Sequence, residues 1–557
     1  MVRSHLYLNR NNSASGADTT PEVIFLIRKR GEHGIVILTA MFFVFFTVLI
    51  LHYFSIAFEQ KYVSAADERS ELKICAAETN GTIFDRDLRP LNNSQRIYQA
   101  VIVPKSADKD VYIDYALDKE KFSADFDNGE PFVFSCAEDT PESDAVTVFS
   151  VPQRYSENQL AQHIIGYTSD GKGVSGVEEA YSSILHSAGS ENSVSYSIDG
   201  FGRVLMGDGK NVVNSKADEA GVVTAIDSDV QRICEKYGKS CGRGAIVIAE
   251  IETGDILGMA SFPDYSADDL ESAIKDERSP LINRCLCSYS VGSIFKLVTA
   301  CEAIEEGKSY YDYECKGCIN VDGQRFNCHQ LAGHGAQSMS KAMTNSCNTY
   351  FISLSRELDV KSFREKAYEL GFGKETYLCE SMIGSAVVLP TARQLDIPAE
   401  MANFSFGQGK LTATPLQITQ LICAIAGGGQ MPVLRLIKGI TIDGKTIANE
   451  KTPQLSRVFE KHTAEQLRQM MISAIRDNKE SNARSDIVSV GAKTSTAQTG
   501  RFGEDGEELC HAWISGFFPA DSPKYALTVL VEDGGYGNKS AAPIFIKIAE
   551  EVTKLKR

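Results

Sequence analysis

The chain has 557 residues, a formal net charge of −16, 43% hydrophobic residues and 23% charged residues. This length exceeds that of one ordinary domain, and the composition is typical of a folded protein rather than a disordered one. The acidic balance excludes a general nucleic-acid binder, because phosphate contacts require clustered lysine and arginine and the sequence has no long basic stretch.

The first element in chain order is an apolar stretch at residues 34–58, which contains no lysine, arginine, aspartate or glutamate. About 20 helical residues cross the hydrocarbon core of a bilayer, so the stretch predicts one transmembrane anchor. It is longer than the apolar region of a cleaved signal peptide. Arg28, Lys29 and Arg30 precede it. The positive-inside rule therefore predicts a cytoplasmic tail at residues 1–33 and a large extracytoplasmic part after the span.

Residues 59–215 predict a second region, mostly β. Residues 81–87 predict a short strand that runs into a turn, and residues 97–103 have the apolar pattern of a longer strand. This part of the sequence has no cluster of histidine, cysteine or paired carboxylates. We interpret it as a pedestal that binds or positions other molecules rather than one that carries out chemistry.

Residues 216–557 predict an α+β domain in which an antiparallel sheet carries helical layers. Strands come first, helices follow from residue 293 to about 475, and strands then return before a final helix opened by Pro543. The predicted strands are 222–227, 244–251, 256–260, 487–498, 511–518 and 525–531. The second and third of these strands are joined by a short turn and predict a hairpin.

Ser293 and Lys296 form a Ser-x-x-Lys pair at the start of a predicted helix. Their spacing places both side chains on the same flank of the first turn. A serine hydroxyl becomes a good nucleophile when a neighbouring base removes its proton, and a desolvated lysine can be that base. An isolated pair of this kind is more often a helix cap beside a solvated lysine, because short motifs recur by chance.

Two further motifs follow. Their order and spacing favour the interpretation of Ser293 as a nucleophile over that of a helix cap. A Ser-x-Asn motif at residues 346–348 lies inside the predicted helical region, and Lys-Thr-Ser-Thr at residues 493–496 lies at the end of the predicted strand 487–498. Alone, the first is typical of a cap or turn and the second of a solvated strand end. Together with Ser293 and Lys296 they predict one site built from three distant parts of the sequence.

With these motifs in this order, the chain resembles the penicillin-binding proteins of bacterial cell-wall synthesis, and most closely their class B monofunctional D,D-transpeptidases. Residues 406–417 are similar to the family's Gly-Gln-Gly…Thr-Pro-Leu-Gln stretch, and residues 511–519 to the strand after its Lys-Thr-Gly motif. Residues 81–86 and 173–178 resemble pieces of its non-catalytic, dimerisation-like domain, with Asn80 in place of the usual arginine. The resemblance implies a transpeptidase domain of the penicillin-binding-protein and serine β-lactamase fold, placed outside the cell membrane.

The resemblance also implies a catalytic set of five residues. Ser293 would attack the penultimate D-Ala carbonyl of a peptidoglycan stem peptide and form an acyl-enzyme, which an amine of a second stem peptide would resolve. Lys296 would be the base for that attack. Ser346 would relay a proton to the leaving amine, while Asn348 would hold the peptide amide. Lys493 would bind the terminal carboxylate.

The same resemblance assigns substrate binding to Thr494, Ser495 and Thr496, with backbone N–H groups of Ser293 and Thr496 as the oxyanion hole. Ser495 stands where the family usually has glycine. Its side chain can crowd the substrate or add a hydrogen bond, so β-lactam affinity is left open. No metal or organic cofactor is expected. The implied partners are stem peptides, β-lactams and a membrane glycosyltransferase of the SEDS type (shape, elongation, division and sporulation).

Other functions are alternatives to transpeptidation. A D,D-carboxypeptidase or β-lactamase-type hydrolase would pass the acyl group to water, but the large pedestal and the long spacing between the second and third motifs disfavour a compact hydrolase. A penicillin-sensing receptor would need a cytoplasmic effector domain, for which residues 1–33 are too short. A catalytically weak penicillin-binding scaffold is the remaining alternative. The sequence leaves open whether elongation, division or sporulation is served.

A second cluster of reactive side chains lies between the first two motifs. Cys315, Cys318 and Cys328, with His329 and His334 nearby, offer the ligand types of a zinc site, although the second half lacks a regular spacing. A local disulfide suits an external loop, with Cys318 and Cys328 as the favoured pair. Free thiols are the third interpretation, since other cysteines of the chain lie singly in apolar contexts.

Overall fold

The computed structural model describes residues 21–57, 71–207, 209–214 and 219–555. It divides into two compact units, Met1–Lys73 with Ser195–Asn211, and Ile74–Val194 with Val212–Arg557. The first 20 residues of the predicted cytoplasmic tail lie outside the described residues. The predicted boundary between a pedestal and a transpeptidase domain at residues 215/216 stays a prediction.

The first unit contains one long helix, Pro21–Ala57. Within it, Gly34–Ile56 has 23 residues with a mean hydropathy of 2.8, and none of this segment is buried. At about 1.5 Å per residue it is roughly 35 Å long, enough to cross a hydrocarbon core of about 30 Å. The prediction of an apolar helix long enough to span a membrane is therefore confirmed, and the helix reaches further toward the N-terminus than the apolar stretch.

The predicted pedestal is mostly β in its described residues. Its strands are Glu71–Thr79, Thr82–Phe84, Gln95–Ile102, Phe132–Cys136, Val146–Gln153, Thr168–Ser169, Lys172–Gly173, Ser190–Ser197 and Asn211–Asn214. Its helices are Lys109–Tyr112, Lys119–Asp127, Gln162–Ile165, Gly176–Ala180 and Ser182–Ser187. The strand Gln95–Ile102 is central to an antiparallel sheet, between Phe132–Cys136 and Val146–Gln153. The ring of Phe122 closes one face of this sheet against Phe134, 4.8 Å between centroids.

Arg154 joins the two pedestal pieces that the sequence singled out. Its guanidinium forms an ion pair with the buried carboxylate of Glu178, at 2.6 Å. The same group donates hydrogen bonds to the carbonyls of Asn80 and Gly81, at 3.0 and 2.7 Å. Asn80 stands where the resemblance leads one to expect an arginine, and the guanidinium that contacts this segment comes from Arg154, far away in the sequence.

A three-stranded sheet connects the pedestal to the C-terminal half within the second unit. Thr82–Phe84 pairs in parallel with Gly221–Thr224, which pairs antiparallel with Ile437–Thr441. The predicted strand 222–227 is thus shorter and starts one residue earlier, because Asp227 already caps the next helix by accepting from the N–H groups of Asp229 and Val230.

The C-terminal half is organised around a five-stranded antiparallel sheet. The strand order is Ile256–Phe262, Gly244–Glu250, Tyr525–Val531, Glu508–Phe518 and Gly491–Phe502. Alternate residues of one strand face opposite layers, as strand geometry requires. Val247 belongs to the core that includes helices Lys296–Glu305 and Pro415–Ala426, whereas Ile246 and Ile248 pack with helices Ser228–Gly238 and Ala542–Lys554 on the other face of the sheet. This arrangement confirms the predicted α+β fold of an antiparallel sheet with helical layers.

The remaining elements of the C-terminal half are helices and short strands. Its other helices are Leu270–Lys275, Lys296–Glu305, Met339–Thr344, Asn348–Ser355, Val360–Glu369, Ala392–Leu395, Pro398–Ser405, Pro415–Ala426, Lys461–Arg476 and Gly537–Ser540. Its short strands are Tyr289–Ser290, Tyr313–Cys315, Cys318–Val321, Gln324–Asn327, Gly335–Gln337, Tyr377–Cys379, Met382–Ile383, Thr412–Ala413, Gln430–Pro432 and Leu455–Arg457. The region predicted as helical therefore also contains several small hairpins.

The strand that carries the third motif was predicted with the wrong bounds. The sequence predicts residues 487–498, whereas the strand is Gly491–Phe502. Val488 and Val490 are buried without belonging to a strand, and their apolar character produced the early start. As a result Lys493 lies near the beginning of the strand and not at its end.

Candidate active site

Ser293 lies in a short 3-10 turn, Gly292–Phe295, that leads directly into the helix Lys296–Glu305. The predicted helix start is therefore correct in place, but its first turn is tighter than an α-helix. Phe295 anchors this turn in an aromatic cluster below the site. Its ring lies 6.1, 5.0 and 4.7 Å from those of Phe363, Phe372 and Phe404. The nucleophile candidate is thus carried by an element whose neighbouring residue is packed in the core.

Gly292 brings the turn into close contact with two other motifs. Its φ is +63°, a conformation that favours glycine. A Cβ at this position would lie 2.4 Å from Ser495 Oγ. The Gly292 N–H donates to the carbonyl of Gly407 at 2.8 Å, and Gly407 belongs to the Gly-Gln-Gly stretch. That stretch therefore supports the turn that holds Ser293.

Ser346 is the point at which the three motifs meet. Its hydroxyl donates to Ser293 Oγ at 3.1 Å and accepts from Lys296 Nζ at 3.2 Å and from Lys493 Nζ at 3.0 Å. The sequence predicts a helix here, whereas Ser346 lies between the helices Met339–Thr344 and Asn348–Ser355. Its φ of +52° is unusual for a serine, and its hydroxyl contacts the other two motifs.

Lys296 is fully buried below Ser293. Its Nζ donates to the carbonyl of Ser346 at 2.7 Å and to Asn348 Oδ1 at 2.6 Å, and lies 5.7 Å from the ring centre of Phe351. Burial, followed by the positive charge of Lys493, lowers the pKa of Lys296 well below its ordinary value. Loss of one proton leaves an amine with two N–H donors and one lone pair that can take up a proton. The geometry fits a general base.

Lys493 approaches the same hydroxyl from the strand Gly491–Phe502. It is buried, and burial lowers its pKa to about 8. Its Nζ also donates to the carbonyl of Thr494 at 2.9 Å. A cavity of about 570 Å³ opens here, lined in part by Ser346, Lys493 and Thr494. A larger cavity of about 980 Å³ lies elsewhere, but it contains none of the motif residues, so the chemistry identifies the smaller one as the site.

Ser495 does not project into that cavity. Its side chain is buried, and its hydroxyl donates to the carbonyl of Val291 at 2.8 Å. Of the two effects expected for a serine in place of glycine, the added hydrogen bond is present, and it is made to the protein. Thr496 is half-buried, and its Oγ1 accepts from the N–H of Gly537 at 3.4 Å.

Residues 244–550 match the family model described as the penicillin binding protein transpeptidase domain. This match covers more than half of the chain. The chain belongs to the penicillin-binding protein transpeptidase family. The resemblance drawn from the three motifs, to the class B penicillin-binding proteins, is confirmed.

Named relatives extend the likeness beyond the transpeptidase domain. The Stage V sporulation protein D of Bacillus subtilis is 29% identical over 414 residues, which cover 70% of this chain and 62% of the relative. The peptidoglycan D,D-transpeptidase MrdA of Acinetobacter baumannii is 26% identical over 443 residues, 70% of this chain and 65% of the relative. The matches therefore span somewhat less than two thirds of either relative.

A solved structure supports the same fold. A chain from a structure described as the structural coordination of polymerization and crosslinking by a peptidoglycan synthase complex matches with a TM-score of 0.68. The match is 23% identical and covers 94% of this chain and 99% of that chain. At 23% identity this comparison shows that the two chains share a fold, and it does not by itself show a shared activity.

The structure of this penicillin-binding protein contradicts the favoured disulfide between Cys318 and Cys328. Cys318 and Cys328 are not bonded to each other and both keep free thiols. They belong to neighbouring segments, but Cys318 pairs across its hairpin with Asn327, so its side chain is not opposite Cys328. The structure instead gathers Cys315, Cys328 and His334, three of the residues considered as zinc ligands.

Sequence reasoning missed one member of this group, Cys347. It is the middle residue of the Ser-x-Asn motif, and it lies with Cys315, Cys328 and His334 so that all four ligand atoms are within 4.8 Å of one another. The Ser-x-Asn motif assigns roles to Ser346 and Asn348 and specifies no residue between them. One feature of the sequence could have pointed to Cys347. It is a cysteine that follows shortly after the segment 315–334, which contains three cysteines and two histidines.

Proposed function

We propose that this chain is a membrane-anchored serine D,D-transpeptidase that cross-links peptidoglycan stem peptides. The observation that carries the proposal is the convergence at Ser346, whose hydroxyl lies within 3.2 Å of Ser293 Oγ, Lys296 Nζ and Lys493 Nζ. Three motifs distant in sequence thus share one hydrogen-bond network beside a cavity. Family membership and the D,D-transpeptidase named among the relatives support the same activity.

In the acylation step, Ser293 Oγ attacks the carbonyl carbon of the penultimate D-Ala. The Ser346 hydroxyl turns its own proton from Ser293 Oγ to the lone pair of Lys296, which burial keeps available, and takes the Ser293 proton in exchange. The peptide C–N bond then breaks, and the proton returns through Ser346 to the departing amine of the terminal D-Ala. Asn348, which accepts from Lys296 through Oδ1, keeps the amine oriented and offers its amide N–H₂ to the substrate.

Substrate binding and deacylation use the strand that carries the third motif. Lys493 and Thr494 bind the terminal carboxylate of the donor peptide, and Thr496 and Ser293 contribute backbone N–H groups to an oxyanion hole worth about 3 kcal/mol per donor. Ser495 acts indirectly by holding the Val291 carbonyl. An amine of a second stem peptide then attacks the acyl-enzyme, forms the cross-link and frees Ser293. A β-lactam would acylate the same oxygen.

The anchor sets the place of this reaction. Residues 34–58 form the span, with residues 1–33 in the cytoplasm and both the pedestal, 59–215, and the transpeptidase domain, 216–557, on the outer side of the cell membrane. Such a protein needs glycan chains from another enzyme, and a SEDS-type glycosyltransferase in the same membrane fits this need. A related chain comes from a complex described as coordinating polymerization and crosslinking, which supports such a partner.

Ser293→Ala provides the direct test of the proposal. In full-length protein, we expect the variant to lose covalent labelling by a fluorescent penicillin because the acyl-accepting oxygen is gone. Its thermal unfolding is expected to match the wild type. Ser272→Ala, on an exposed helix, is the matched control and keeps full labelling. Normal labelling of Ser293→Ala would refute the assignment.

A second measurement separates transfer from hydrolysis. Wild-type protein is incubated with a D-Ala-D-Ala pentapeptide, with and without an amine acceptor, and the products are analysed by mass spectrometry. We expect a dimeric product that grows with acceptor concentration. Release of D-Ala with only the free tetrapeptide as product would instead support a D,D-carboxypeptidase.

A further inference from the structure

The cavity beside the proposed active site is larger than the departing D-Ala requires. Its volume is about 570 Å³, within the range of about 300–1,000 Å³ that holds a ligand of drug size. A single D-Ala has only a few non-hydrogen atoms and would fill a small part of that space. The proposed reaction needs a second substrate, the acceptor stem peptide, and the rest of the cavity has room for it.

The chemistry of transfer requires the acceptor to approach from this side. Attack of an amine on the acyl-enzyme is the departure of D-Ala in reverse. By microscopic reversibility, the incoming nitrogen therefore takes the position that the outgoing nitrogen left. Ser346, which relays the proton to that nitrogen in the proposed function, lines this cavity together with Lys493. The acceptor thus enters through the same cavity and not through another face of the domain.

A loop outside the three motifs forms one wall of this cavity. Residues 477–481, here named the loop wall, lie between the helix Lys461–Arg476 and the strand of the third motif, and they line the cavity together with Asn538. The loop is fixed internally, because Asn478 Oδ1 accepts from the N–H of Glu480 at 3.0 Å. It is a built surface beside the site.

Asn538 fastens the loop wall to the strand of the third motif. Its Oδ1 accepts from the N–H of Asn482 at 2.9 Å, and its carbonyl accepts from Asn482 Nδ2 at 2.8 Å. Its own Nδ2 donates to the Glu480 carbonyl at 2.9 Å. The neighbouring Gly537 donates its N–H to Thr496 Oγ1 at 3.4 Å. These bonds hold the wall in place relative to the residues proposed to bind the donor peptide.

Glu480 is the carboxylate of the loop wall that lacks a cationic partner. Asp477 is bound by Arg476, whose Nε and Nη2 donate to its two carboxylate oxygens at 2.8 and 3.1 Å. Among the residues that the structure describes, none forms an ion pair with Glu480, whose hydrogen bonds are made by its backbone. Its side chain is exposed, as is that of Lys479. The wall therefore presents both charges that a zwitterionic peptide carries.

An incoming amine needs such a carboxylate. A primary amine of a peptide has a pKa of about 8 to 10 in water, so it carries a proton at neutral pH. In the cavity it approaches Lys493, whose pKa burial lowers to about 8 and which is therefore still largely charged at neutral pH. Two cations repel each other. An exposed carboxylate on the cavity wall offsets this repulsion and raises the local concentration of the acceptor.

We propose that the loop wall binds the acceptor stem peptide and that the Glu480 carboxylate receives its ammonium group. This inference rests on the proposed function, because it concerns the second half of that reaction. The bound ammonium releases one proton to solvent, and the neutral nitrogen forms a bond to the acyl carbon. The ester bond to Ser293 Oγ then breaks. A second proton passes from the nitrogen through Ser346 to Oγ, which restores the serine hydroxyl.

The fate of the acyl-enzyme tests this assignment. Full-length protein in detergent receives an isotope-labelled D-Ala-D-Ala pentapeptide as donor and increasing concentrations of a stem tetrapeptide with a free side-chain amine. Mass spectrometry then gives the ratio of cross-linked to hydrolysed donor, which does not depend on how fast the acyl-enzyme forms. For Glu480→Gln we expect this ratio to fall about threefold to fivefold, the effect of one exposed charge pair. The difference from wild type is expected to shrink at high salt.

Two controls separate recognition of charge from damage to the site. Asp477→Asn removes a carboxylate that Arg476 already neutralises, and it is expected to keep the ratio within about twofold of wild type. Hydroxylamine is an uncharged nucleophile at neutral pH, and as acceptor it is expected to give the same ratio in Glu480→Gln as in wild type. A wild-type ratio in Glu480→Gln with the tetrapeptide, or an equal loss with hydroxylamine, would overturn the proposal.

Asn538→Ala tests the fastening of the wall. It is expected to lower the ratio with the tetrapeptide about threefold. Because it acts through Glu480, the double variant Asn538→Ala/Glu480→Gln is expected to be no worse than Glu480→Gln alone. Simple additivity would refute the positioning role of Asn538. Wild-type protein that forms no acyl-enzyme would instead contradict the proposed function, whereas an acyl-enzyme that divides equally in wild type and Glu480→Gln contradicts only the acceptor site.

Discussion

Gly292→Ala is expected to displace the turn that carries Ser293. At a φ of +63°, a residue with a side chain costs roughly 1–2 kcal/mol more than glycine. The new Cβ would lie 2.4 Å from Ser495 Oγ and 3.1 Å from the Thr496 carbonyl oxygen, closer than such atoms pack. Ser495 must therefore move and lose its bond to the Val291 carbonyl, worth about 1 kcal/mol. The total loss of stability is about 2–3 kcal/mol.

The loss of activity is expected to be larger than the loss of stability suggests. Ser293 follows Gly292 directly, so a shift of the turn moves the nucleophile relative to Ser346. A misplacement of about 1 Å at a reacting atom costs roughly 100-fold in rate. The measurement is the second-order rate constant for acylation by a fluorescent penicillin, taken with the thermal unfolding midpoint of the same full-length preparation.

Ser495→Gly provides the matched second variant. It removes the atom that clashes with the new Cβ and leaves Thr496 O at 3.1 Å. The double variant Gly292→Ala/Ser495→Gly is therefore expected to recover part of the rate, with a coupling of about 1 kcal/mol between the two sites. Wild-type rate and stability in Gly292→Ala would refute the reasoning. So would a double variant in which the effects of Gly292→Ala and Ser495→Gly are simply additive.

Two other expectations concern buried charges of the pedestal and its neighbouring helix. Glu178→Gln leaves the guanidinium of Arg154 without its carboxylate and is expected to lower the free energy of unfolding by about 3 kcal/mol, whereas Glu179→Gln on the exposed side should change it little. Equal unfolding midpoints for these two variants would contradict the buried ion pair. Burial raises the pKa of Glu235 to about 7. The folded protein therefore holds this proton more tightly than the unfolded chain and loses stability as the pH rises from about 4.5 to 7. Glu235→Gln is expected to stabilise the protein by about 3 kcal/mol at pH 8 and hardly at pH 4.5, as thermal unfolding at both values would show; the same gain at both would exclude the carboxyl as the cause.

The sequence by itself determined the fold class and the three motifs of the site. The apolar stretch predicts the long helix, because membrane-spanning length and hydrophobicity are local properties of the chain. The hairpin of Gly244–Glu250 and Ile256–Phe262 and the strand Tyr525–Val531 were also predicted nearly in full, since each is short, apolar and bounded by turn residues. Ser293 and Lys296 were placed correctly at a helix start for the same local reason.

Only the tertiary structure decided which residues meet. The hydroxyl of Ser346 reaches Ser293, Lys296 and Lys493 from a turn with a positive φ, and helical periodicity does not reveal that turn. From the sequence, a serine in place of glycine at position 495 can either crowd the substrate or add a hydrogen bond. The structure decides between them, because the Ser495 side chain lies on the side of its strand that faces Val291 and Gly292.

The cysteines illustrate the same limit. Spacing along the chain favoured a bond between Cys318 and Cys328, the pair that a hairpin then separates. Cys347 joins Cys315, Cys328 and His334 from a different helix end, because packing of the core and not sequence distance sets which thiols converge. The sequence shows which residues carry thiols and imidazoles, but only the folded chain decides which of them lie within 4.8 Å of one another.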